Sequence, residues 1–204
     1  MKTLIFAIRN TGWYAAVPVL VAALGCAGFF AVEQAGPTQL VIYYATFMRT
    51  IAPLFAAWWP LFVFKERVEG DGRELLYLLR PRGESATATL LAGAYVAVLT
   101  PLGILAATRR LPEAIDTPAA WGACVCSAAL AFWVVFATRS SPLALLAAVA
   151  FGLFGQAAFA RLVAAVVALV GPRPDADVLP WLAWLGLAVA MLLHGERLSR
   201  KFAG

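Results

Sequence analysis

The chain has 204 residues, 63% of them hydrophobic and 13% charged, with a formal net charge of +5 and a mean hydropathy of +0.83. That is too little polar surface to cover a water-soluble globule of this size, so the composition excludes a soluble domain and indicates an integral membrane protein.

A helix needs roughly 20 apolar residues to cross about 30 Å of hydrocarbon. The apolar runs here are continuous and rich in Ala and Leu, without the period-two alternation of a barrel strand, so backbone satisfaction in lipid predicts helices. The expected fold is all-α: one polytopic transmembrane domain over residues 1–204, with six spans.

A polar start with Lys2, Arg9 and Asn10 precedes the first span, at about residues 13–32. Its apolar stretch is longer than the core of a signal peptide, so it is expected to stay in the membrane. The second span, at about 40–64, contains Arg49 after Tyr43, Tyr44 and Met48, then Thr50 and the two prolines Pro53 and Pro60. An arginine at the centre of a span costs about 2.5–3.5 kcal/mol on insertion scales. Two readings follow: an interfacial anchor beside the tyrosines, or one side of a polar pathway shared with Thr50, Trp58 and Arg161.

The third span is expected at about 87–107 and the fourth at about 121–137. Ser141 as N-cap and Pro142 at the first helical position then open a fifth, at about 141–158. The apolar stretch continues to Val170, longer than one crossing requires, with Gly152, Gly155 and Gln156 in its middle. It is either one strongly tilted helix or a span followed by a re-entrant outer segment at 159–170, which would lift Arg161 to the headgroups. The sixth span is expected at about 178–193.

Basic residues set the orientation. With both termini inside, eleven of the 16 Lys and Arg lie in the cytoplasm, and only Arg109, Arg110 and Arg173 lie outside. This bias accounts for the basic net charge without a nucleic-acid partner. Cys124 and Cys126 point roughly 200° apart on a helix and with Cys26 read as packing residues. The single histidine, His194, reads as an ordinary interfacial residue, and the chain contains no P-loop, metalloprotease or serine-hydrolase motif.

One polar island breaks the apolar pattern. Residues 65–86 hold ten of the 27 charged side chains. Gly70 and Gly72 suit a turn, Leu75, Leu76, Leu78 and Leu79 form an apolar helical turn amid charge, and Pro81 ends it. Such a turn has more apolar area than it can hide alone and wants either lipid headgroups or a groove in a protein.

The run Phe64, Glu66, Gly72, Glu74, Leu75, Leu76, Leu79, Pro81 and Arg82, between the second and third of six spans, resembles the coupling-helix segment of ABC-2 type transporter permeases. The resemblance implies a permease subunit in a bacterial-type cytoplasmic (plasma) membrane that pairs with a second copy or a paralogue. It also implies docking to two copies of a cytoplasmic ABC ATPase, with ATP and Mg held by that partner and no cofactor or metal in this chain. Leu75, Leu76 and Leu79 would supply apolar contact, Glu74 with Arg73 or Arg82 the charge register, Gly72 the tight turn in and Pro81 the exit. Cargo would be amphipathic or hydrophobic: a peptide, drug or lipid-like molecule. The alternative is a membrane scaffold or accessory subunit with no transport path.

Overall fold

The computed structural model describes residues 12–70, 83–111, 117–155, 157–159, 161–162, 165 and 179–201. Among these the protein is all-helical. A 3-10 turn at Gly12–Ala16 leads into α1, Val17–Glu33. The next stretch comprises α2 (Pro37–Thr46), a π-helical turn (Phe47–Ile51), α3 (Ala52–Ala56) and α4 (Trp58–Val68). Beyond it come α5 (Glu84–Thr108), α6 (Thr117–Thr138), α7 (Ser141–Ala150) with a second π-helical turn at Phe151–Gly155, and α8 (Leu179–Lys201). Four helical stretches are long and apolar enough to cross a membrane: Gly12–Glu33, Pro37–Lys65, Glu84–Thr108 and Ala119–Thr138. The stretch Ser141–Gly155 is apolar but shorter.

The second stretch is broken where one continuous helix was expected, and its prolines explain why. Pro53 has no N–H for the carbonyl of Arg49, and the turn before it widens so that the N–H of Ala52 reaches the carbonyl of Phe47. Pro60 likewise withholds a donor from Ala56, and the chain breaks at Ala57 between α3 and α4. The Tyr95 hydroxyl, buried on α5, donates to the carbonyl of Ala52, next to Pro53, at 2.8 Å and ties α5 to this broken stretch.

The element α6 occupies the centre. It packs against α3, α4, α5, α7 and α8, and 72% of its apolar window is buried, against 22% for the first helix. Small residues on several faces permit this: Ala123, Cys124, Cys126, Ser127, Ala128, Ala129 and Ala131 are all buried. Cys124 belongs to the main core, and Cys126 to a smaller cluster with Trp184 and Ala188. At one end of α6, Phe132 and Phe136 close on Phe64 of α4, with ring centroids 5.0–5.5 Å apart. Gly195 of α8 lies so close that a Cβ there would stand 2.5 Å from the Phe132 ring.

Two expected boundaries need correction. The N-cap of α7 is Ser140, not Ser141: Ser140 has the extended backbone of a cap and its hydroxyl accepts from the Leu143 N–H, whereas Ser141 is already in the first turn. The helix α8 does not stop near residue 193 but continues to Lys201, because its polar last turns are still packed, with Glu196 and Ser199 buried.

The Gly195→Ala variant should fold less stably by about 1–3 kcal/mol, the usual cost of forcing atoms into a filled contact. Thermal unfolding in detergent reads this directly, and an unchanged midpoint would mean that α8 does not lie so close to Phe132.

Candidate functional site

Five helix ends meet at one end of the bundle. The polar last turns of α4 carry Lys65 and Arg67 beyond its apolar run, with Glu69 just past them, and α5 begins after Gly83. Gly83 has φ +91, a left-handed conformation that glycine adopts without strain. Between α6 and α7 the chain reverses through Arg139, at φ +58, and Ser140. The last turns of α8 complete the group.

Carboxylates tie these ends together. Glu196 of α8 accepts from the N–H of Ser85 at 2.8 Å and from that of Gly83 at 3.4 Å, and Arg200 one turn on donates to the same carboxylate at 3.3 Å. Glu69, just past the end of α4, accepts from the Ser141 hydroxyl at 2.9 Å and from the Ser141 N–H. Glu84, at the start of α5, is ion-paired with Arg67 of α4; their side chains are only 5% and 15% exposed. The Arg67 guanidinium also lies 5.6 Å from the centroid of the Phe64 ring, so it links the polar layer to the aromatic cluster beneath.

The chemistry follows from helix starts. The first N–H groups of a helix have no intrahelical acceptor, and the aligned peptide dipoles favour negative charge there. Gly83 has no side chain with which to cap α5, and Glu196 supplies the acceptor from another helix. Burial by itself would raise the Glu196 carboxyl, but the Ser85 and Gly83 N–H groups, the Ser85 side chain and Arg200 outweigh it and hold the group below its ordinary value of 4.5.

At the opposite end Arg109, just past α5, is ion-paired with Glu33 of α1. Near the first helix start, Trp58 and Trp59 donate their indole N–H groups to the carbonyls of Tyr14 and Ala15 at 3.0 and 2.9 Å.

The expected site residues fall in several places. Gly72, Arg73, Glu74, Leu75, Leu76, Leu79, Pro81 and Arg82 lie outside the described residues; Glu66 is in α4, and its side chain also lies outside them. Arg49 and Thr50 sit together in the first π-helical turn, which packs on the second at Gly152: a Cβ there would meet the Thr50 carbonyl at 3.5 Å. Trp58 is on α4, engaged with Tyr14, and Arg161 is an exposed helical residue beyond the second π turn. Gly25 and Gly28 of α1 pack against Phe47 and Tyr43, and the Tyr43 hydroxyl donates to the Gly25 carbonyl at 2.9 Å.

Sequence reasoning did not single out Glu69, Glu84, Glu196 or Ser85, and it took Ser141 only for a helix cap. Their signal was an acidic residue within a turn of each helix end in an otherwise basic region. No family model, curated protein or solved structure matches the chain.

Replacing Arg67 with Met should cost about 3–5 kcal/mol, because it leaves the buried Glu84 carboxylate without its cation. The double replacement Arg67→Met with Glu84→Met should recover much of that loss, and a double-mutant cycle by thermal unfolding measures the recovery. Additive losses would show that the two side chains do not act as a pair.

The Glu196 carboxylate also makes a pH prediction. Its folded value is lowered, so its stabilisation is fully present above the ordinary value of 4.5 and is lost as the pH falls from there through the lowered value. The stability difference between wild type and Glu196→Gln should therefore be constant from neutral pH down to 4.5 and shrink below it. A gap that widened on acidification would contradict the capping role.

Proposed function

We propose that this chain is the membrane-spanning permease subunit of an ATP-driven exporter of the ABC-2 type, with a coupling helix in the 71–82 segment. In this reading the bundle has six spans, with α7 and its continuation as the fifth and α8 as the sixth, and both termini are cytoplasmic. Among the described residues, Lys65, Arg67, Arg139, Arg197, Arg200 and Lys201 gather at the charged end against Arg109 and Arg110 near the other, which favours a cytoplasmic charged end.

The observation that carries the reading is the bracing of both stems of the island. Arg67 and Glu84 pair across the chain just before and just after the 71–82 segment, Glu69 holds the entering stem to α7, and Glu196 holds the leaving stem to α8. A segment that receives force from a partner needs such footing. Closure of two ATPase copies on ATP and Mg would press on the segment, and α4 and α5 would carry the displacement into the membrane. A second permease subunit, the same or a paralogue, would form the other wall of the path.

In this reading the cargo is amphipathic or hydrophobic, a peptide, drug or lipid-like molecule. The large side chains Trp13, Leu24, Phe30, Leu90, Ile104 and Phe154 exposed on the surface fit contact with lipid.

Purification of the tagged chain from its native membrane in mild detergent, with mass spectrometry of stoichiometric partners, tests the proposal. Wild type should bring down an ATPase with a P-loop, and the pair Leu75→Asp with Leu76→Asp should lose it while still inserting in the membrane. Recovery of the chain alone, or only with non-ATPase membrane proteins, would favour the scaffold reading instead.

A further inference from the structure

The start of α5 is capped from a distance. A local cap, a Ser, Thr, Asp or Asn at the N-cap position, satisfies the first N–H groups of a helix without tying it to anything else. Here the N-cap is Gly83, and the acceptor is Glu196, 111 residues from Ser85. Both carboxylate oxygens are used, one on Ser85 and one on Gly83, and Arg200 steadies the group from one turn further along α8. Glu196 is itself buried.

The position of α8 gives this cap a reach beyond α5. The helix packs along α6, the central element, with Gly195 against Phe132 and Trp184 against Gly122. A displacement of the α5 start that α8 must follow is therefore delivered to the middle of the bundle. The entering stem reaches α6 directly, through Phe64 against Phe132 and Phe136, and Glu69 ties it to the start of α7 and not to α8.

We propose that Glu196 is a positioning residue, a latch that makes the last helix move with the stem leaving the 71–82 segment. The latch stands on the geometry at Gly83 and Ser85; its part in coupling to ATP hydrolysis rests on the permease reading above.

Two measurements separate these. In the first, the full chain in lipid nanodiscs is followed by hydrogen exchange with mass spectrometry. Glu196→Gln should speed exchange about tenfold at the first turn of α5 and also in the last turns of α8, whereas Glu69→Gln should speed it at the start of α7 and leave α8 alone. Faster exchange in α5 with α8 unchanged, or no change in either, would overturn the latch. In the second, an environment-sensitive fluorophore is placed on Leu193→Cys in the complex with whatever ATPase co-purifies, and ATP is added with vanadate. Wild type should show a shift, and Glu196→Gln should lose most of it per ATPase present in the sample. A shift that survives Glu196→Gln would overturn the role in coupling. Failure of any ATPase to co-purify would overturn the permease reading and leave the exchange measurement to decide the latch.

Discussion

A helix that begins at the edge of hydrocarbon has N–H groups that neither its own turns nor the lipid can satisfy. At the charged end of this bundle, the starts of α5 and α7 are supplied by carboxylates from the far ends of α8 and α4, Glu196 on Gly83 and Ser85 and Glu69 on Ser141. A helix capped in this way is positioned by its neighbour as well as stabilised by it. The Arg67–Glu84 pair closes the remaining gap between α4 and α5, and the three contacts together hold the ends of four helices in register. Much of this polar layer is shielded from water, where interactions between charges are stronger and the loss of one partner is felt more.

The broken second stretch follows the same logic in the apolar interior. Pro53 and Pro60 withhold donors from the carbonyls of Arg49 and Ala56, and between them Tyr95 of α5 fastens the stretch by donating to the Ala52 carbonyl. Widened turns at Phe47–Ile51 and Phe151–Gly155 lie against each other, with Gly152 allowing the approach. Arg49 and Thr50 are therefore held where the backbone departs from ideal α geometry, a feature frequent at functional positions. That departure and the packing at Gly152 keep both readings of Arg49 open, as an interfacial anchor and as one side of a path.

Helix content and the approximate extents of the first four apolar stretches were legible in the sequence, because run length and Ala/Leu composition decide them directly. The breaks within the second were half legible: both prolines were visible, but whether a proline kinks, widens or ends a helix depends on the helices packed around it, and Tyr95, which fastens this stretch at Ala52, is 43 residues away. The cap of α7 was misplaced by one residue because two serines stand side by side, and only the extended backbone at Ser140 distinguishes them. The polar layer was not legible at all. Nothing local to Glu196 indicates that its partners are the amides of residues 83 and 85.

The island and its footing carry different kinds of evidence, and their energetics explain the division of labour between them. By sequence the leucines at 75, 76, 78 and 79 stand amid charge, the composition expected of a surface that a partner would complete under the permease proposal. The stems have the opposite character: Arg67, Glu84 and Glu196 are at least partly enclosed and paired within the chain. An interface that must form and transmit force benefits from this arrangement. Under the permease proposal the supports would already be ordered by their pairing within the chain, so less of the binding free energy would be spent on ordering them. A scaffold would need the apolar turn for adhesion but would have no comparable need for Glu196 to tie the last helix to the island. The remote cap on α5 is therefore the feature that favours a force-transmitting segment over a simple docking surface.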